Sequence, residues 1–157
     1  MSMEEQQKPR SAANVGVTWG GIGAVLGFCV SLLGSLAGMV AATFIGVSVG
    51  RRAADADGED KSGALAGLVG GAIAAPAVVV GATAGALVSV RSVNLESIAV
   101  EVSGMLGATV TTDETWRLIL LAVAIAAVFQ IILLIGASTA AGAWAAKKRA
   151  TTAKRDL

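Results

Sequence analysis

The placement of charge, more than any single motif, limits what this chain can become. Between Arg10 and Arg51 lie 40 residues without a charged side chain, between Lys61 and Arg91 another 29, and between Arg117 and Lys147 another 29. A hydrocarbon core of about 30 Å is crossed by roughly 20 apolar residues in a helix, so each block is long enough to span a bilayer. Of the 157 residues 15% are charged, against the roughly 25% of an ordinary soluble domain. The fold class read from this is an all-α integral membrane helical bundle.

The same composition removes chemistry. The chain has no His, no Tyr and one cysteine, Cys29, which sits inside an apolar block. General bases, zinc ligands and intramolecular disulfides therefore have few candidates. The expectation is a chain that is not an enzyme, with no catalytic, metal or cofactor site and no evident small-molecule substrate. A net charge of +1 gives no reason to expect nucleic acid as a partner.

Residues 1–14 read as a polar N-tail, closed by Pro9 and Arg10. A secretory signal competes, since Ser35-Leu36-Ala37 imitates a small-x-small cleavage site, but the apolar stretch overruns a usual signal core and Glu4 and Glu5 precede it. The segment is read as retained. As one helix the 40-residue block would extend about 60 Å, twice the hydrocarbon thickness. Residues 15–50 are therefore predicted to form a transmembrane hairpin reversing at Ser31-Leu32-Leu33-Gly34-Ser35, with Trp19 at a membrane interface. A polar loop, 51–61, follows. Its Asp55-Ala56-Asp57-Gly58-Glu59-Asp60 run lacks the remaining ligand spacing of a calcium loop and reads as a solvated turn.

Residues 62–90 form a span kinked at Pro76, which costs the Ala72 carbonyl its helical donor. In the external segment 91–115, Leu95, Ile98, Ala99, Val102, Met105 and Leu106 recur at helical spacing, giving an amphipathic surface helix. Residues 116–146 form the last span, opened by a Thr111 to Glu114 capping box. Trp116 and Trp144 bracket it at a separation of 28 residues, about 42 Å and so close to the full bilayer thickness. A basic tail, 147–157, begins with Lys147, Lys148 and Arg149. Such a tail anchors the cytoplasmic side and attracts anionic headgroups.

Span count follows from charge asymmetry. With four spans, ten of the twelve Lys and Arg share one side; with three, which holds if residues 15–50 do not form a hairpin, the split is eight to four. The stronger bias selects four spans, with both termini cytoplasmic in the cell membrane; a virion membrane is the alternative location.

The richest pattern is small residues every fourth position: Gly34, Gly38, Ala42, Gly46 and Gly50, then Gly63, Gly67, Gly71 and Ala75, then Gly81 and Gly85. That spacing lines one helix face and lets backbones approach closely, a glycine-zipper arrangement. It serves packing within one bundle or self-association with further copies or other membrane subunits. Gln130, an amide in the middle of the last span, is expected to face another helix as packing glue. No Asp, Glu, Lys or Arg lies inside a span, which argues against a pump or coupled transporter.

Gly20-Gly21-Ile22-Gly23, Gly34-Ser35-Leu36-Ala37-Gly38, the short acidic loop and Lys61-Ser62-Gly63-Ala64-Leu65-Ala66-Gly67 together resemble glycine-rich multi-span membrane proteins of unknown function common in haloarchaea. The likeness covers roughly residues 15–90 and implies a membrane location and helical hairpins, with no activity attached. The net positive charge departs from the acidic balance of halophile proteins. The basic tail also looks like that of phage holins. The function expected is therefore a structural or accessory membrane protein, part of a larger membrane or virion assembly; the alternative is a holin-like or channel-forming oligomer.

Overall fold

The computed structural model describes residues 11–31, 35–56 and 62–153. Every element among them is an α-helix: α1 Ala12–Ser31, α2 Ser35–Ala56, α3 Gly63–Arg91, α4 Leu95–Leu106 and α5 Thr112–Ala153. The reversal expected near Ser31 to Ser35 falls where α1 gives way to α2; Leu32, Leu33 and Gly34 lie outside the described residues.

Helix boundaries follow from local chemistry. Ser62 caps α3 by accepting from the Leu65 amide, and Asn94 caps α4 by accepting from the Glu96 amide at 3.0 Å. Gly107 ends α4 with φ +65°, the left-handed conformation that glycine adopts without a Cβ penalty. The capping box at α5 is formed in full. The Glu114 carboxylate accepts from the Thr111 backbone N–H at 2.8 Å and from its hydroxyl at 2.9 Å, while the Glu114 amide donates back to the Thr111 Oγ1.

Neighbouring residues fix the directions of the long helices. Gly23 and Ser31 of α1 meet Ile45 and Gly38 of α2, in reverse order, making that pair antiparallel, whereas Gly16, Gly20 and Gly27 meet Gly70, Ala74 and Ala82 in order, so α3 runs parallel to α1. Along α5, Gly142, Ser138 and Ile135 meet Gly63, Gly67 and Gly71, an antiparallel match. The result is an up-down-up-down bundle in which α2 and α3 touch through the centre and α1 and α5 flank them. The start of α1, the end of α2, the start of α3 and the end of α5 share one end of the bundle; α4 lies at the other, packed on α5.

Three helices, α1, α3 and α5, are long and apolar enough to cross a membrane. In α2 the uncharged part is only Ser35 to Gly50, 16 residues or about 24 Å, because Arg51 and Arg52 belong to the helix rather than to a loop. α3 continues through Pro76, which stands exposed on its outer side. The basic tail expected from Lys147 is, as far as Ala153, a continuation of α5. The interior is narrow: Ile45, Val49, Ala74, Ala75, Val78 and Leu134 form one core cluster, and Ala12, Val15, Ala53 and Ala66 another nearer the N-terminal end.

Candidate functional site

Two features stand out, the seams of small residues between helices and the basic, aromatic end of the bundle. In the seams, backbones approach so closely that a side chain would have no room. A Cβ on Gly46 would lie 2.5 Å from the Leu134 carbonyl oxygen, and one on Gly71 would lie 2.7 Å from the Ser138 Oγ. Gly50 and Gly67 face the Ser138 carbonyl, Gly63 faces that of Gly142, and Gly81 and Gly85 face those of Ala24 and Phe28, all closer still. Real Cβ contacts under 3.0 Å essentially never occur.

The expected small residues are thus distributed over three seams of one chain. Ala42, buried to 1% exposure, Gly46 and Gly50 lie on α2, the latter two against α5. Gly63, Gly67 and Gly71 belong to α3 against α5. Gly81 and Gly85 belong to α3 against α1. Gly38 is the exception, since the nearest atom to its Cβ position is the Gln130 Nε2 at 3.0 Å. Gly34 lies outside the described residues.

Sequence reasoning missed the α1 side of the third seam, Gly16, Gly20 and Gly27, and the residue at the centre of the first two, Ser138. The Ser138 hydroxyl donates to the Gly67 carbonyl while Ser138 itself is fully buried. Signals were present: Gly16 and Gly20, and Ser138 and Gly142, are small residues four apart.

At the basic end, Trp19 is half-buried between the two core clusters, with the Arg52 guanidinium 4.8 Å from its ring centroid. Trp144 is more open. Arg51 from α2 and Lys148 from α5 both stand over its ring, at 4.9 and 5.5 Å. Arg149 pairs with Asp55 across the same two helices, and exposed Lys147 lines a shallow groove beside Trp144. Five cations from two helices thus surround two indoles, with Asp55 the one acid among these contacts. Trp116, half-buried, belongs to the opposite end, so the indoles mark both ends of the bundle.

Gln130 is buried, at 6% exposure, but makes no hydrogen bond to any described residue. Its amide nitrogen lies against Gly38 of α2, where no interhelical hydrogen bond to a described residue is made. Among the described residues no cluster of three His, Cys, Asp or Glu is placed to hold a metal ion.

The fold and these two features define an all-helical bundle with three helices long and apolar enough to cross a membrane and a cationic, indole-bearing end. No protein family matches the chain, and no match is found among curated proteins or solved structures.

Proposed function

We propose that the chain is a non-enzymatic integral membrane protein of structural or accessory role, inserted as four spans with both termini on the cytoplasmic side. The observation that carries this reading is the combination of a bundle interior held by glycine and alanine seams with an outer surface of large apolar side chains. Leu36, Val40, Phe44, Val80, Val128 and Ile132 are each at least 60% exposed, apart from Val128 at 56%. Water would make that surface an aggregation hazard; lipid makes it the ordinary exterior, since packing between membrane helices relies on close van der Waals contact rather than apolar burial.

The alternation of helix direction supports α2 as the fourth span despite its short apolar part. Arg51 and Arg52 sit at its end, where long cationic side chains reach the interface, and there they lie against Trp144 and Trp19. The positive-inside bias assigns that end to the cytoplasm.

The holin-like alternative draws its sequence support from the basic tail and from self-association through the small-residue series, and the described glycines of that series meet helices of their own chain. Reconstitution into dye-loaded vesicles separates the two readings. The structural reading predicts alkali-resistant membrane association with no dye release above protein-free vesicles. Release that scales with protein and is abolished by Gly67→Leu would overturn it in favour of the channel.

A further inference from the structure

The α3 to α5 seam covers only part of their shared length. Small-residue contact runs from Gly63 against Gly142 to Gly71 against Ser138 and Ile135. Farther along, a cleft of about 500 Å³ opens between Thr83 and Ala86 of α3 and Ala122, Ala126 and Gln130 of α5, with Ser31 of α1 completing its wall. Its lining is mostly alanine and larger apolar side chains, and it includes no charged group.

Polar groups in this cleft differ from most hydroxyls within the helices. A hydroxyl on a helix ordinarily donates to the carbonyl one turn back. Thr18, Thr43, Ser48, Ser89, Thr115 and Thr139 all do so. Ser31 and Thr83 make no hydrogen bond to any described residue, and neither does the Gln130 amide, although that residue is more than nine-tenths buried. No buried side-chain nitrogen or oxygen among the described residues is both fully enclosed and unbonded, so the Gln130 amide keeps some exposed surface, and the residue lines the cleft. Three unspent polar side chains therefore converge on one apolar cavity. That combination, a volume within roughly 300 to 1,000 Å³ and a few polar groups in apolar walls, is the usual form of a small-molecule site.

We infer that the cleft binds an uncharged, membrane-dissolved lipid bearing a carbonyl or hydroxyl group, of the diacylglycerol kind. The absence of any cation in the lining leaves nothing to pair with a phosphate. Gln130 lies 12 residues from Leu118 and 16 from Ala146, about 18 and 24 Å along the helix, so it sits near the middle of the apolar stretch, below the reach of a charged headgroup. Its NH₂ donates to an ester carbonyl, its Oε1 accepts from a free hydroxyl, and Ser31 and Thr83 offer hydroxyls of either sense. The inference rests on the membrane reading given above.

The test uses the full chain in phosphatidylcholine vesicles and two photoactivatable probes carrying the same diazirine acyl chain, a diacylglycerol and a phosphatidylcholine. The diacylglycerol probe is expected to label cleft-lining Ala122, Ala126 and Gln130 saturably and to be displaced by unlabelled diacylglycerol. Gln130→Leu weakens that labelling about fivefold, the equivalent of one interhelical-strength hydrogen bond. Ala126→Phe fills the cleft and removes the labelling. Unchanged labelling of outward-facing Val128 and Ile132 by the phosphatidylcholine probe shows that each variant keeps its fold. Equal, unsaturable labelling by both probes, or indifference to the two substitutions, would overturn the cleft site while leaving the membrane reading intact. Failure of the phosphatidylcholine probe to label the chain at all would overturn both.

Discussion

The Ser138 hydroxyl donates to the Gly67 carbonyl, joining α5 to α3 from inside the bundle, while the Ser138 carbonyl faces Gly50 of α2. One residue thus sets the spacing of three helices. Backbone meets backbone at this level, so adjustment by side-chain rotation is not available.

Substitutions at this junction are expected to be costly for a stated reason. Gly67→Leu and Gly50→Leu force a side chain against backbone atoms, and overpacking of this kind costs about 1–3 kcal/mol or more. Ser138→Ala loses one interhelical hydrogen bond, about 1 kcal/mol or less. Gly136→Ala is the control, because a Cβ there meets nothing within 4 Å; it is expected to be neutral or to stabilise by up to about 1 kcal/mol through helix propensity. Detergent-titration unfolding followed by tryptophan fluorescence ranks the four.

A different outcome is expected at the basic end. The Arg149 and Asp55 side chains are 42% and 64% exposed, and an exposed ion pair contributes about 0–1 kcal/mol, so Asp55→Asn leaves stability nearly unchanged. Charge there acts on lipid instead. Arg51→Gln and Lys148→Gln are each expected to weaken preference for anionic over neutral vesicles by about 1 kcal/mol, with the difference shrinking as salt rises. A lipid-competition assay at two ionic strengths reads both effects.

The capping box carries a pH dependence whose sign is fixed. Hydrogen bonds from the Thr111 backbone and hydroxyl, together with the nearby Arg117 charge, hold the Glu114 carboxyl below the usual glutamate range. A group depressed in the folded state stabilises above its unfolded pKa, and that contribution disappears as pH falls through the folded value. The first turn of α5 is therefore expected to fray in acid and not at neutral pH. Amide exchange at Thr115, whose N–H donates to the Thr111 carbonyl at 2.9 Å, should accelerate on acidification beyond the intrinsic rate, and Glu114→Gln should remove that excess.

What could be read from the sequence was what depends on near neighbours. Thr111 and Glu114 are three residues apart, so their capping box was legible, as were the apolar face of α4 that buries Ala99 and the small-residue series on α2 and α3. Which seam each series joins was not legible, since Gly50 and Ser138 meet across 87 intervening positions and several alanine-rich faces compete for each glycine face. Basic residues after Trp144 read as a cytoplasmic tail that attracts anionic headgroups, yet Arg149 finds Asp55 and α5 persists to Ala153. Gln130 was expected to bond another helix; where its amide lies, α2 presents Gly38, which has no side chain to answer it.

The central claim, a bundle crossing the membrane four times, is tested most directly by single cysteines at Ser11, Ser62 and Ser92 in a Cys29→Ser background, probed with a membrane-impermeant maleimide in intact cells. The account predicts that Ser92→Cys is labelled at once, and that Ser11→Cys and Ser62→Cys are labelled only after permeabilisation. Labelling of Ser11→Cys and Ser62→Cys from opposite sides would mean that α1 and α2 do not form a transmembrane hairpin, and labelling of all three from one side would contradict the membrane-spanning bundle altogether.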